Sequence, residues 1–318
     1  MSKSQPIKMF TTPDGAKQML EEYGVAVIPS LLTKPECIEM QKGMWDTLEC
    51  LTQTWETPMH RDNPDSWKEM YKLYPNHSML HQHHGIGHAP FIWNVRQNPK
   101  CIDVFSRLWN TDDLLCSFDG ASFHMPHEIT GRGMFRKPTL HVDQSYTRNE
   151  FECIQGWVTG YEVRPGDATL LVMPKSHLFH KDIATEYQIT DTSDWFKLDD
   201  HVEAYRKKGC QEIRITCPRG SMVLWDSRTV HCGVEPLPRE TPNFRCVVYT
   251  CYMPRSMAPS KQIEKRIAAF ESRRMTTHWP CKVKLFGKEP RTYGGELYET
   301  TPLPSPELSH VGRRLVGY

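Results

Sequence analysis

The apolar positions of this chain change rhythm once. Up to about residue 110 they recur at three- and four-residue spacings, as in amphipathic helices. From Asp112-Asp113 to about residue 252 they alternate or form short blocks, as in strands. In the first block, Thr12-Pro13 followed by Asp14 reads as a helix start with proline at the first helical position, and Gly24 as its end. Val25-Ala26-Val27-Ile28 is then a short buried strand. Thr33-Lys34-Pro35-Glu36 has the form of a capping box, in which the threonine oxygen accepts a backbone N–H and the glutamate reaches back. Behind it, Ile38, Met40, Met44, Trp45, Leu48 and Leu51 give an apolar stripe over about 35–53, a scaffold helix and not a cofactor box. From Glu56 to Pro90 the chain is polar, aromatic and broken by Pro58, Pro64, Pro75 and Pro90. Asn98-Pro99 caps a further helix with Ile102, Phe105 and Leu108 inward, ending near Asn110.

Candidate strands in the second block are 114–118, 121–125, 138–143, 154–163, 168–173, 212–216, 221–226, 229–232 and 244–252. Turns such as Pro165-Gly166-Asp167 and Cys217-Pro218-Arg219-Gly220 separate them. Many short strands after a helical block predict an α+β chain with a mainly β core, a sandwich or double-stranded jelly roll flanked by N-terminal helices. Beyond Pro254 one more amphipathic helix carries Ile263, Ile267 and Phe270, and Thr300-Thr301-Pro302-Leu303-Pro304-Ser305-Pro306 reads as an extended tail. The expected organisation is one domain over 1–255, with a helical block at about 12–110 and a jelly-roll core at about 112–255. Residues 256–318 would add a helix and a tail packed on that core.

Composition narrows the classes. Hydrophobic content of 38% and charged content of 24% are those of a soluble globular chain. Lys+Arg 39 against Asp+Glu 38, net charge +1, argues against a bulk nucleic-acid or membrane surface. The first ten residues lack the apolar core of a signal peptide, no run would span a bilayer, and no C-terminal prenylation or peroxisomal tripeptide is present. An intracellular, cytoplasmic location is expected. The cysteine count, Cys 11, is odd and no CxxC occurs, which fits neither a zinc site nor a disulfide framework; buried, reduced thiols are expected. Asn76-His77-Ser78 matches a glycosylation acceptor, a chance match without a secretion signal.

The chemistry concentrates in Thr139–Tyr146, TLHVDQSY. On a strand, His141 and Asp143 would project to one face. A second histidine alongside would complete two histidines and one carboxylate on a metal, the facial arrangement of non-haem Fe(II) oxygenases. The H-x-D pattern alone is weak, since about one occurrence is expected by chance in a chain this long. His60-Arg61-Asp62 and His180-Lys181-Asp182 repeat it, the first in a proline-flanked polar stretch and the second at the start of a loop. Only His141 and Asp143 sit in a strand pattern. His231, opening the strand after the Ser227-Arg228 turn, is placed to be the partner. The histidines of His81-Gln82-His83-His84-Gly85-Ile86-Gly87-His88 have no cysteine or acidic partner and read as a loop lining a pocket mouth; Gly85-Ile86-Gly87 gives no dinucleotide signal. Arg245 then lies at the mouth of an apolar strand and needs an anionic partner, whether a protein carboxylate or a ligand. Arg239, in a loop between prolines, ranks second.

The ordered set His141-x-Asp143, Met173-Pro174-x-Ser176-His177, Asp226-Ser227-Arg228-x-x-His231 and Arg245 resembles the phytanoyl-CoA dioxygenase branch of the Fe(II)/2-oxoglutarate oxygenases. Tyr23-Gly24-Val25-Ala26-Val27-Ile28-Pro29-Ser30-Leu31-Leu32 resembles that family's opening helix–strand–helix, and the likeness covers roughly residues 10 to 255. The chain departs from the family's Pro-Gly-Ser-His at Lys175 and from its usual run after the last histidine at Cys232-Gly233-Val234-Glu235-Pro236. The resemblance implies a double-stranded β-helix (cupin-like) and iron held by His141, Asp143 and His231. It further implies 2-oxoglutarate chelating the iron with its far carboxylate on Arg245, O2 as the other co-substrate, and Trp157 as an aromatic against the co-substrate. It implies C–H hydroxylation coupled to decarboxylation of 2-oxoglutarate; related halogenases carry a small residue where this chain keeps Asp143. A jelly-roll binding or scaffold protein without the chemistry is the alternative from another class, and a jelly roll using Mn or Zn is a third. Candidate substrate walls are Phe123, His124, Gln144, Tyr146, Gln155 and the neighbourhood of Trp93 and Arg96. A small molecule is the expected substrate, with a nucleobase or a protein side chain open; no adenine or phosphate signal favours an acyl-CoA. Oligomeric state is not readable from the chain.

Overall fold

Residues 9–73, 79–132, 137–292 and 295–318 are described by a computed structural model of the chain. The Asn76-His77-Ser78 match and the first eight residues lie outside them. Helices form where the 3.6-residue spacing predicts them. α1 (Ala16–Tyr23) is closed by Gly24 in the left-handed conformation (φ 72°), leading directly into β1 (Val25–Ile28). α2 (Lys34–Thr52) opens on the capping box of Thr33 and Glu36, a cap that contributes about 1 kcal/mol. After α3 (Met70–Leu73) and β2 (Leu80–His81) come α4 (Pro90–Arg96) and α5 (Pro99–Trp109), each with proline in its first turn.

The β part begins with β3 (Leu114–Cys116) and β4 (Ala121–His124). After the short α6 (His127–Thr130) it continues through β5 (His141–Val142), β6 (Ile154–Thr159) and β7 (Thr169–Val172). An insertion of α7 (His180–Glu186), β8 (Phe196–Lys197) and α8 (Val202–Lys207) precedes β9 (Ile213–Arg214), β10 (Met222–Asp226), β11 (His231–Val234), β12 (Arg245–Thr250) and β13 (Tyr252–Pro254). The order β1-β10-β6-β12-β4-β2 makes a six-stranded sheet and β8-β5-β11-β7-β9 a five-stranded one. Their ladders are antiparallel.

The two-residue period of the strands sorts the core into layers. Val25, Val27, Trp157, Val223, Trp225 and Val247 of the larger sheet pack with Leu170 and Val172 of the smaller, between the sheets. The alternate residues of the larger sheet, among them Ile154, Val158, Leu224, Cys246 and Val248, pack outward on Met40, Met44, Leu48, Ile92, Trp93 and Phe105 of the helices. On the far side of the smaller sheet, Val142, Leu171, Cys232 and Val234 pack on Ile183, Val202 and Tyr205 of α7 and α8.

Several strand boundaries are corrected. Expected strand 138–143 narrows to His141–Val142, and 154–163 stops at Thr159, whose hydroxyl folds onto the backbone of Tyr161 in a turn. Expected strand 244–252 splits at Cys251, because β12 joins the large sheet while β13 pairs with β3. The α7–β8–α8 insertion had no clear signature: its elements are two to seven residues long, too short for periodicity to register.

The C-terminal segment returns to the core. α9 (Ser260–Glu271) presents the buried Arg266, whose guanidinium donates to the carbonyls of Cys116, Pro280, Leu315 and Val316. This ties α9, β3 and α10 (His310–Val316) together, and Leu303, Leu315 and Val316 join the helical-side core. All eleven cysteines are free, and all but Cys50 are buried. Among the described residues no helix is long and apolar enough to cross a membrane.

Candidate metal centre

His141 and His231 are direct register partners across β5 and β11, so their rings meet with centroids 4.5 Å apart. Asp143 lies one residue past the end of β5. Its N–H donates to the Ser227 carbonyl (2.9 Å), which fixes it beside the loop that leads into His231. That loop is itself pinned. The Arg228 guanidinium pairs with Asp226 (2.6 Å) and donates to the Asn149 carbonyl, Thr229 Oγ1 donates to Gly24 O, and Val230 N–H donates to Ser176 Oγ. The Asp226-Ser227-Arg228 and Ser176 positions of the motif therefore shape the turn. Lys175, where the family pattern has glycine, stands in the left-handed region at φ 70°.

One ligand atom from each of His141, Asp143 and His231 can be chosen so that all lie within 4.8 Å of one another. Asp143 Oδ2 is 3.2 Å from His231 Nε2 and 3.8 Å from His141 Nε2. Both histidines donate Nδ1–H to the carbonyl two residues back, His141 to Thr139 (2.8 Å) and His231 to Thr229 (2.9 Å). That choice of tautomer leaves both Nε2 lone pairs pointing at the carboxylate. Gln155 Nε2 donates to Asp143 Oδ2 (3.0 Å) from the facing sheet. Burial works against the Asp143 carboxylate, but the adjacent His141 and His231 outweigh it and hold its pKa well below the ordinary range. Burial, reinforced by His231, pushes His141 down to about 4. Two imidazoles turned to present Nε2 and an ionised carboxylate, converging with their outer atoms already hydrogen-bonded, fit a divalent metal that prefers mixed nitrogen and oxygen donors.

The facing sheet supplies the second half of the site. On β12, Arg245 is buried, with Nε donating to Ser122 Oγ (2.8 Å) and Nη1 to the Ala168 carbonyl (3.2 Å). Its guanidinium lies 5.4 Å from the Trp157 ring, which is fully buried. Among the described residues no carboxylate pairs with Arg245, and burial lowers its pKa, partly offset by Tyr249. Arg239 is different: it pairs with Glu128 and Asp167 and is a structural bridge. This contrast separates the two arginines that the sequence left in competition.

The remaining expected site residues divide. Gln155 reaches Asp143, as above. His124 is the register partner of Arg245. Phe123, expected on the wall, is corrected: it points to the opposite side of β4, where it packs in the helical core against His81 and Phe91. Gln144 spends its amide on the carbonyls of Arg148 and Glu150 and accepts from Ser227 Oγ. Tyr146 hydrogen-bonds Tyr205 and stacks on His180 in the core beneath α7 and α8. Neither has a polar group to spare. Trp93 is core, and Arg96 is consumed by Gly87 and Asp119.

The look-alike motifs are occupied otherwise. His180 donates to the Ser145 carbonyl, and His60 with Asp62 is exposed. In the histidine-rich stretch, His83, His84 and His88 donate to the carbonyls of Gly287, Leu73 and Arg274, so they stitch chain segments together. A cleft of about 520 Å³ runs between α2, α4 and Leu303-Pro304, and none of the triad lines it. Two residues near the triad had no sequence signal. Trp195 lies 5.8 Å from the His141 ring, and His278 is within electrostatic reach of Asp143 and His231.

Comparison with known proteins adds the following. The profile of the phytanoyl-CoA dioxygenase family matches residues 20–235, a span that contains the triad and stops short of Arg245. Ava biosynthesis cluster protein O of Aspergillus versicolor is 30% identical over 207 residues, covering 62% of this chain and 65% of that protein. The chain thus matches just under two thirds of that relative's length. A hypothetical protein of Escherichia coli superposes with a TM-score of 0.63 at 14% identity, covering 99% of this chain and 87% of the other. The non-heme alpha-ketoglutarate-dependent carbocyclase SnoK from nogalamycin biosynthesis superposes with a TM-score of 0.51 at 16% identity, covering 76% and 86%. At such identities the two structures are likenesses of fold.

Proposed function

The chain belongs to the phytanoyl-CoA dioxygenase family, and from that premise we propose that it is an Fe(II)/2-oxoglutarate-dependent dioxygenase that hydroxylates a C–H bond of a small molecule. The observation that carries the reading is a pairing across the two sheets. A His–Asp–His triad with both imidazoles turned to present Nε2 faces a buried arginine that pairs with no protein carboxylate among the described residues. Arg239 is paired with carboxylates and the buried Arg266 is held by four backbone carbonyls, whereas the hydrogen bonds described for Arg245 go to Ser122 Oγ and the Ala168 carbonyl. A dicarboxylate of the length of 2-oxoglutarate satisfies both ends, chelating the metal at one and meeting the guanidinium bidentately at the other.

In this reading the fold is a double-stranded β-helix over residues 1–255, with 256–318 packed against it. His141, Asp143 and His231 hold Fe(II), which when bound with 2-oxoglutarate supplies the activation of O2. Gln155 orients the Asp143 oxygen, and the Thr139 and Thr229 carbonyls orient the two rings. Arg245 binds the far carboxylate, and Trp157 closes the floor beneath the guanidinium and keeps water from it. Because the carboxylate is retained at Asp143, no coordination position is freed for halide, and the outcome is hydroxylation. The biosynthesis-cluster relative supports a small-molecule substrate over a nucleobase or a protein side chain.

A succinate-release screen across substrate classes, with mass spectrometry for the gain of one oxygen atom, tests this. Iron-dependent succinate formation that Asp143→Ala abolishes is the expected result. Hydroxylation retained in that variant would overturn the assignment.

A further inference from the structure

Two of the buried thiols stand in contact. Cys153, the residue before β6, and Cys251, at the break between β12 and β13, bring their sulfurs to 3.5 Å, hydrogen-bond distance for two thiols. Both are almost wholly buried, in a small cluster with Leu115, Met253, Trp279 and Cys281. Cys251 Sγ donates to the Ile154 carbonyl (3.2 Å), and the Cys251 carbonyl accepts from Ser117 N–H (2.9 Å), so Cys251 is held at both its side chain and its backbone. A disulfide sets its sulfurs about 2.0 Å apart, so closing this pair takes an approach of about 1.5 Å.

Cys153 is tied to the triad along two short routes. Its carbonyl accepts from Ser227 N–H (3.1 Å), and the Ser227 carbonyl accepts from Asp143 N–H (2.9 Å). Two residues further along the chain, Gln155 Nε2 donates to Asp143 Oδ2 (3.0 Å). The main-chain contact and the side-chain amide that position Asp143 thus both lead back to Cys153. Drawing the Cys153 sulfur onto Cys251 pulls the Cys153 peptide with it. A close-packed interior passes such a shift on to its neighbours instead of absorbing it.

We propose that Cys153 and Cys251 are an oxidation site for hydrogen peroxide, and that their disulfide loosens Asp143 and lowers the metal affinity of the triad. The second half rests on the reading of the triad as a metal centre. One thiol attacks peroxide and loses its proton to the departing oxygen, giving a sulfenic acid and water. The other thiol then attacks that sulfur, the S–S bond closes, and a second water leaves. Two thiols and one peroxide become one disulfide and two waters, with two electrons passing from sulfur to oxygen. Burial selects the oxidant: a small neutral peroxide reaches these sulfurs, whereas a bulky disulfide such as oxidised glutathione does not.

The test treats the purified full chain with hydrogen peroxide, removes the peroxide, and compares it with the reduced protein. Three readouts are peptide mapping, amide hydrogen exchange, and titration with cobalt(II) in place of iron. Mapping should find Cys153 linked to Cys251, with dithiothreitol reversing the link. Exchange in the peptide that holds the Asp143 N–H should quicken, and cobalt should bind about 10- to 100-fold more weakly, the usual effect of losing a contact that orients a ligand. Cys153→Ala and Cys251→Ser should keep the cobalt affinity of the reduced parent and lose its response to peroxide. No link between these two cysteines would overturn the proposal. So would a linked protein with unchanged exchange and cobalt affinity, or a peroxide response that persists in both variants. A reduced protein that binds no cobalt would remove the metal-centre reading and the affinity claim with it, while mapping and exchange still decide on the disulfide and its reach to Asp143.

Discussion

Replacing Arg245 by methionine should move two quantities in opposite directions. Arg245 is 4% exposed, and of its five N–H donors Nε goes to Ser122 Oγ and Nη1 to the Ala168 carbonyl, with no carboxylate paired to it among the described residues. In the free protein it is a desolvated charge held by neutral acceptors. Methionine fills similar length, removes the charge, and forfeits two hydrogen bonds of about 1 kcal/mol each. Relief of the buried charge offsets that loss, so unfolding stability without ligand should stay within about 1 kcal/mol of the parent or rise. With 2-oxoglutarate the sign reverses. Truncating one partner of a buried charge pair costs about 2–5 kcal/mol, a roughly 30- to 4,000-fold loss of affinity. Anaerobic calorimetry with Fe(II) gives the affinity, and thermal unfolding with and without 2-oxoglutarate gives the linked stabilisation, which should vanish in the variant. Unchanged affinity would refute the reasoning. So would a ligand-free destabilisation of about 3–5 kcal/mol, the mark of a broken internal ion pair.

Gln155→Leu removes the hydrogen bond to Asp143 Oδ2 and should weaken metal binding about 10- to 100-fold in a chelator competition; an unchanged metal affinity would show that Gln155 does not orient the ligand. Burial pushes His88 and His180 down to about 4, both almost fully buried, against an ordinary value near 6.5. Both are thus neutral in the fold and take up protons on unfolding, so their contribution is complete above pH 6.5 and is lost as pH falls toward 4. By pH 5 the loss is about 2 kcal/mol for each, and urea unfolding at pH 7 and pH 5 should show a smaller difference in His180→Phe than in the parent. An identical difference would remove His180 from the acid response. Gly120→Ala would drive a Cβ into the His81 carbonyl where β2 meets β4, and should cost about 1–3 kcal/mol in a thermal melt; a normal melt would mean that the two strands separate freely.

The triad was legible because each part of it obeys a rule visible in one dimension. His141 sits in an alternating stretch, His231 opens a strand after a turn, and the competing His60 and His180 motifs lack strand context. Even so, alternation describes only half of the arrangement, since Asp143 lies past the strand end and is positioned by Ser227 O. Phe123 shows where the rule fails. Every residue of β4 is buried, so both faces look alike in sequence and nothing there says which one turns toward the helices. Gln144 and Tyr146 failed differently: they adjoin the motif in sequence, but their polar atoms close local turns and a separate core. His278 was beyond reach, because its place near Asp143 depends on the path of the chain after α9 and not on any local pattern.

The most direct test is an anaerobic titration of the purified chain with Fe(II) and then 2-oxoglutarate, followed in the visible spectrum. A weak charge-transfer band that saturates at one iron and one 2-oxoglutarate per chain, and that His231→Ala abolishes, is expected if His141, Asp143 and His231 hold the metal that 2-oxoglutarate chelates. No band in the unsubstituted protein, or an undiminished band in His231→Ala, would contradict it.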